Sequence, residues 1–133
     1  MATWRRKAPD LFPEMHRELG EGDYSIYQLF FDLLPIVQAA HSEKKDDVLR
    51  RSYGFVDSCV RQHRSQEPCN AAVVAFLEHL FDDWSLRDQV VPWLTEEMVQ
   101  ETSFEWRSRL GFLKWRKLRR LLEQQNLRAP NTV

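Results

Sequence analysis

IYQLFFDLLPIVQAAH, residues 26–41, is apolar around nearly its whole circumference when wound at the helical repeat, the pattern of a helix enclosed by others. It begins at Asp23 or Ser25, and Pro35 is expected to kink or divide it. A second run of this kind, AAVVAFLEHLF at residues 71–81, follows the breaker SQEPCN, in which Pro68 stands where a first-turn proline belongs. These two helices are expected to pack together at the centre of the molecule. Between them, roughly Glu43 to His63, Leu49, Tyr53, Val56 and Val60 fall on one stripe, while Arg50, Asp57, Arg61 and Gln62 lie away from it.

Outward from this centre the chain stays helical. Asp10 is placed to cap a short helix starting at Leu11-Phe12-Pro13-Glu14, which stops near Gly20-Glu21-Gly22. Ser85 and Asp88 resemble a capping pair for a short helix that ends before Pro92. Thr95 caps the next segment, and a last helix runs from about Thr102 to Asn126, continuous with it or bent near Glu101-Thr102-Ser103. With only four glycines and no β-branched alternation, strands have no candidate. The expected architecture is all-α: one domain over residues 1–133 with five to six helices, a helical-hairpin bundle or short HEAT-like stack, and loose tails at 1–9 and 128–133.

The opening MATWRRKAPD has positive charge but no apolar stretch behind it, and no window is apolar enough to span a bilayer. Cys59 and Cys69 make no disulfide framework. A cytoplasmic protein without membrane attachment is expected.

Charge is split along the chain. Residues 1–104 hold 11 Lys and Arg against 18 Asp and Glu, whereas residues 105–133 hold 8 against 2, so a net −7 precedes a net +6. The acidic share peaks at Glu78, Asp82, Asp83, Asp88, Glu96, Glu97 and Glu101, threaded with Trp84 and Trp93. Aromatic anchors among carboxylates are interface chemistry. Glu78, Asp82, Asp83, Trp84, Asp88, Trp93, Glu96 and Glu97 are therefore the candidate partner-binding residues. The alternative reading of these carboxylates is that they face the basic last helix of the same molecule. On that helix, Arg109, Arg116, Arg119 and Arg120 share a face with Phe112, opposite a stripe of Trp106, Leu110, Leu113 and Leu121. These four arginines are the candidate nucleic-acid contacts.

Catalytic and metal chemistry have little footing. There is no nucleophile elbow, Gly-rich phosphate loop, HExxH or EF-hand pattern. Asp46-Asp47, Asp82-Asp83 and Glu96-Glu97 are sequence neighbours and diverge on a helix, so neither member of a pair supports the other as acid and base. Cys59, His63, Cys69 and His79 are zinc-ligand types at spacings that no compact finger uses. No enzyme, metal or cofactor is expected.

Leu11-Phe12-Pro13-Glu14, the turn Glu21-Gly22-Asp23, Leu49-Arg50-Arg51 to Tyr53-Gly54-Phe55-Val56, and Asn70-Ala71-Ala72-Val73 to Phe76-Leu77-Glu78-His79-Leu80 resemble a family of small bacterial helical proteins. Members of that family are similar to the immunity proteins of polymorphic toxin systems. The resemblance covers roughly residues 10–83. It implies a cytoplasmic protein that binds and neutralises a cognate toxin and transforms no substrate. Against a nuclease toxin, residues 78–101 would act as an acidic surface that imitates nucleic acid. The competing expectations are a nucleic-acid-associated module using the basic last helix, and a scaffold subunit of a larger assembly.

Overall fold

A computed structural model describes residues 3–129 as seven α-helical segments and short 3-10 turns, with no strand among the described residues. The helices are α1 (Thr3–Leu11), α2 (His16–Leu19), α3 (Ile26–Glu43), α4 (Asp46–Val60), α5 (Glu67–Ala75), α6 (Arg87–Val90) and α7 (Glu96–Gln124). They share one continuous core, so the chain forms a single all-helical domain.

Side-chain caps begin the two longest helices. Ser25 Oγ accepts the Gln28 amide at 3.1 Å to open α3, and Thr95 Oγ1 accepts that of Met98 at 3.4 Å to open α7. Both agree with the sequence expectation. The Ser85–Asp88 pair does not form. Asp83 is the cap instead, accepting from the Ser85 amide at 3.3 Å and its hydroxyl at 2.6 Å, because the segment that follows is a 3-10 turn, Trp84–Leu86. Nor does Asp10 cap a helix: it lies inside α1.

α5 is the centre. Ala71, Ala72, Val73 and Ala75 are all fully buried, and the small side chains let α3, α4 and α7 approach closely. α3 and α5 pack together, as the two apolar runs predict. α3 is not enclosed, however. Ile26, Leu29, Phe30, Leu33 and Val37 line its buried stripe, while Phe31 is 52% exposed. Pro35 does not divide it. The carbonyl left without a partner is that of Phe31, four residues back on the exposed side, where water can satisfy it.

The chain around α4 is also shorter than expected, Asp46–Val60 in place of Glu43 to His63. Lys44 turns left-handed at φ 56° after α3, and the Lys45 amide returns to the Ala40 carbonyl at 2.9 Å. That Schellman closure ends one helix before the next begins. Leu49, Tyr53, Val56 and Val60 are buried as a stripe.

Residues 3–9 are no tail. Trp4 and Ala8 are buried on one face of α1, and Arg51 on α4 donates to the Leu11 carbonyl at 2.5 Å. Arg5 donates to the Tyr24 carbonyl, and Phe12 meets Phe55 edge-on at 5.4 Å. The charged run and Pro9 disguise an i, i+4 apolar pair. This added segment brings the count to seven, above five to six. At the other end, Arg128 is exposed, Ala129 packs on the core, and residues 1–2 and 130–133 lie outside the described residues.

The second apolar run breaks at Phe76 (φ −129°, ψ −71°) and continues as a 3-10 turn, Leu77–His79. No residue there is a helix breaker. In that turn the indole of Trp106 on α7 donates to the Leu77 carbonyl at 2.7 Å, deep in the core.

α7 is interrupted at Gly111, where φ is 78° and ψ 174°. Of the two alternatives at residues 101–103, continuity is the one realised, since Thr102 and Ser103 are helical and buried. The break has a phase logic. Val99, Ser103 and Trp106 are buried before it and Trp115, Leu118 and Leu122 after it. In an unbroken helix those two stripes would point about 125° apart. One extended residue resets the phase, so both limbs, 96–110 and 112–124, reach the core. Leu113, placed on the apolar stripe by uninterrupted stepping, is instead 76% exposed.

An alanine at Gly111 would meet no atom within 4 Å, so any penalty is in the backbone. This region of φ and ψ is nearly exclusive to glycine, and Gly111→Ala is expected to cost about 1–3 kcal/mol. Urea denaturation would show it, and an unchanged midpoint would mean the limbs tolerate another junction.

Candidate functional site

Of the eight acidic-surface candidates, five lie on the turns between α5 and α7, Asp88 lies on α6, and Glu96 and Glu97 open α7. Asp82 is clasped by Arg109, whose Nε and Nη2 donate at 3.2 and 2.8 Å, and it also faces His79 Nδ1 at 3.0 Å. Glu78 lies 3.6 Å from His79 Nε2. Asp83 is occupied as the cap of its turn. Glu97 takes both terminal nitrogens of Arg61 at 3.1 Å, while Arg61 Nε holds Asp57 at 2.7 Å. Arg64 bridges Glu101 and Glu105 at 3.4 and 3.0 Å and donates to the Glu101 carbonyl. Burial alone would lower the pKa of Arg64, but the Glu105 and Glu101 carboxylates outweigh it and hold it above its ordinary value. Glu96 accepts from Gln100, and Asp88 makes no hydrogen bond or ion pair among the described residues.

The two tryptophans of this stretch diverge. Trp93 stacks on Tyr53, centroids 5.8 Å apart and planes within 19°, as part of the core wall. Trp84 is half-buried and holds Arg87 and Lys114 over its ring, at 5.0 and 5.6 Å from the centroid.

Trp84 thereby meets the second limb of α7. The groove between them, 560 Å³, is lined by Trp84, Leu113, Lys114, Arg116, Lys117 and Arg120. Of the four nucleic-acid candidates, Arg109 is committed to Asp82. Arg116, Arg119 and Arg120 are exposed and make no ion pair or hydrogen bond among the described residues. Folding the basic helix onto the acidic stretch is thus realised at Arg109–Asp82, while Arg61 and Arg64 of the α4–α5 connection neutralise Glu97, Glu101 and Glu105. These pairs span 36–41 residues of sequence, which is why charge patterning did not reveal them. Leu113, 76% exposed, is the residue that the sequence reading missed, hidden by the misplaced phase across Gly111, whereas the sequence places Phe112, equally exposed, on the basic face.

Groups with displaced pKa values lie inside the core. His41 Nε2 and the Tyr53 hydroxyl are 2.7 Å apart, both residues 3% exposed. Burial pushes His41 down to about 4 and Tyr53 upward. The protonated phenol and the neutral imidazole share one hydrogen bond there. Burial likewise pushes Cys59 up to about 12 and raises Cys69, whose thiol donates to the Val60 carbonyl at 3.7 Å. Two thiols of this kind are poor nucleophiles. His63 is bonded to Ser65, and no group of three His, Cys, Asp or Glu among the described residues could hold a metal. No described helix is long and apolar enough to cross a membrane.

No curated protein and no solved structure matches the chain. Residues 3–113 match a family model described as a domain of unknown function, DUF7674. Its last matched residues reach just past Gly111, so nearly all of the basic limb lies outside the match. Since the match takes in the buried centre on α5 and every helix up to the break in α7, the chain belongs to the DUF7674 family.

Proposed function

We propose that this chain is a non-catalytic, cytoplasmic protein-binding module, of the kind that binds and neutralises a cognate toxin. The observation that carries the reading is the exposure of Leu113 beside half-buried Trp84, with Phe112 exposed on a neighbouring face, in a chain whose other large apolar side chains mostly fill one core. Adjacent exposed apolar groups rimmed by charge are the make-up of a protein interface. The likeness of residues 10–83 to immunity proteins supplies the class of partner. The non-catalytic part of the reading is supported by the burial of His41, Tyr53, Cys59 and Cys69, which face each other or the core.

The acidic surface is the weaker place for that contact. Asp82, Asp83 and Glu97 are already engaged, which leaves Asp88 and Glu96 as the more open carboxylates of the stretch. A second reading, nucleic-acid association, has one observation in its favour: Arg116, Arg119 and Arg120 are exposed without an anionic neighbour among the described residues.

Affinity purification of the tagged chain from its own host, at low and at moderate salt, separates the two. The expected result is one stoichiometric protein that persists as salt rises, because apolar contact is not screened. Salt-labile nucleic acid with no protein would move the function to the basic limb.

A further inference from the structure

We propose that the groove between Trp84 and the ridge Leu113, Arg116, Lys117 and Arg120 receives an acidic protein segment anchored by an apolar side chain. The proposal rests on the protein-binding reading above and assigns its surface and its partner's chemistry. In this way the second limb of α7, not the family scaffold, sets which partner is taken.

The ridge has helical spacing. Positions 113, 116, 117 and 120 follow the i, i+3, i+4, i+7 rule and form one face, opposite Trp115, Leu118 and Leu122, which are buried. Each ridge residue is exposed, so the face is presented outward. Its charge is unpaired, whereas four other arginines are held by carboxylates. Arg51 holds Asp47, Arg61 holds Asp57 and Glu97, Arg64 holds Glu101 and Glu105, and Arg109 holds Asp82. Arg116, Lys117 and Arg120 have no such partner among the described residues. Three cations converging on one groove therefore call for an anionic ligand supplied from outside.

Two details select protein over nucleic acid. Leu113 opens the ridge and shares the groove with Trp84, and an exposed leucine adds nothing to a phosphate backbone but gives a peptide side chain an apolar seat. Meanwhile the Trp84 ring already carries Arg87 and Lys114, so a stacking base would have to displace a cation from it. The location fits a specificity element as well. Family matching stops at residue 113, and the ridge projects from just beyond the Gly111 break, on a limb still anchored by Trp115, Leu118 and Leu122.

The test uses the full chain and three fluorescent probes: a glutamate-rich amphipathic peptide with leucines on one face, the same peptide with serines replacing them, and a short DNA duplex. Binding is read by anisotropy at low and moderate salt. The leucine peptide should bind about tenfold more tightly than the serine peptide, as one seated apolar side chain allows. Leu113→Ser should erase that preference. The triple reversal Arg116→Glu, Lys117→Glu, Arg120→Glu should weaken the leucine peptide about a hundredfold or more, the combined effect of three rim charges. All four positions are exposed, and an unchanged circular dichroism melt would show that the variants fold.

Equal binding of the two peptides, no binding of either, or duplex held as tightly as the leucine peptide and indifferent to Leu113→Ser would each overturn the proposal. So would dimerisation of the wild type that the triple reversal abolishes, which would put a second copy in the groove. The broader reading fails separately. If the triple variant still captures the host protein, the groove assignment falls and protein binding stands; if the wild type captures none, protein binding itself falls.

Discussion

Trp106→Ala is expected to remove about 3–5 kcal/mol of stability, the range for deleting a large aromatic side chain from a packed core. Trp106 is fully buried, meets Phe81 edge-on at 5.2 Å, and donates its indole N–H to the Leu77 carbonyl at 2.7 Å. It is thus the wedge between the first limb of α7 and the turn in which α5 ends. The cavity cannot close by sliding the limb inward, because Val99 and Ser103 on the same face are already in contact with the core. Such a loss is a large share of the roughly 5–15 kcal/mol typical of a domain. Trp106→Phe separates the two contributions. It keeps most of the apolar volume, and the Leu77 carbonyl retains the Leu80 amide at 3.2 Å, so a smaller cost of about 1–2 kcal/mol is expected. Urea unfolding of both variants checks the order, and a loss under about 1 kcal/mol for alanine would show that the wedge is not where α7 is held.

Acid should destabilise the fold through His41 before most carboxylates titrate. Burial lowers its pKa in the folded state from 6.5 to about 4. Between those values the unfolded chain takes up a proton that the folded chain refuses, so stability is complete above pH 6.5 and falls as pH drops toward 4. Over the full window the loss is on the order of 3 kcal/mol, since each pH step of one between the two values is worth ~1.4 kcal/mol. The readable part lies between about pH 7 and 5. His41→Gln should lower absolute stability, since Tyr53 loses its partner 2.7 Å away, yet flatten the slope in that interval. If the variant and the wild type show parallel pH profiles, His41 is not the group responsible.

Much of the fold could be read from residues acting on their neighbours. Ser25 and Thr95 cap because their hydroxyls need reach only three residues ahead, and Leu49, Tyr53, Val56 and Val60 pack because one stripe of α4 carries them. What could not be read is what distant residues impose. α5 ends at Phe76 with no local breaker, and the turn that follows is held by Trp106, whose indole reaches the Leu77 carbonyl across 29 residues of sequence. The break in α7 has a local signal, though a faint one: Gly111 is the sole glycine of its run, and Trp115 falls out of phase with Trp106. The same holds for the site. Trp84 and the basic residues of α7 are visible as types, but nothing local says that Lys114 crosses to Trp84, or that Arg61 and Arg64 silence the carboxylates at 97, 101 and 105.

A helix propagates because each new residue inherits a turn already formed, and starting afresh costs a nucleation step. Gly111 denies the second limb that inheritance. Residues 112–124 must nucleate on their own, and so short a segment is marginal as an isolated helix. Its order is therefore lent by Trp115, Leu118 and Leu122 seating in the core. The basic limb is a passenger on the family scaffold, able to change its outward sequence freely so long as those three seats stay filled.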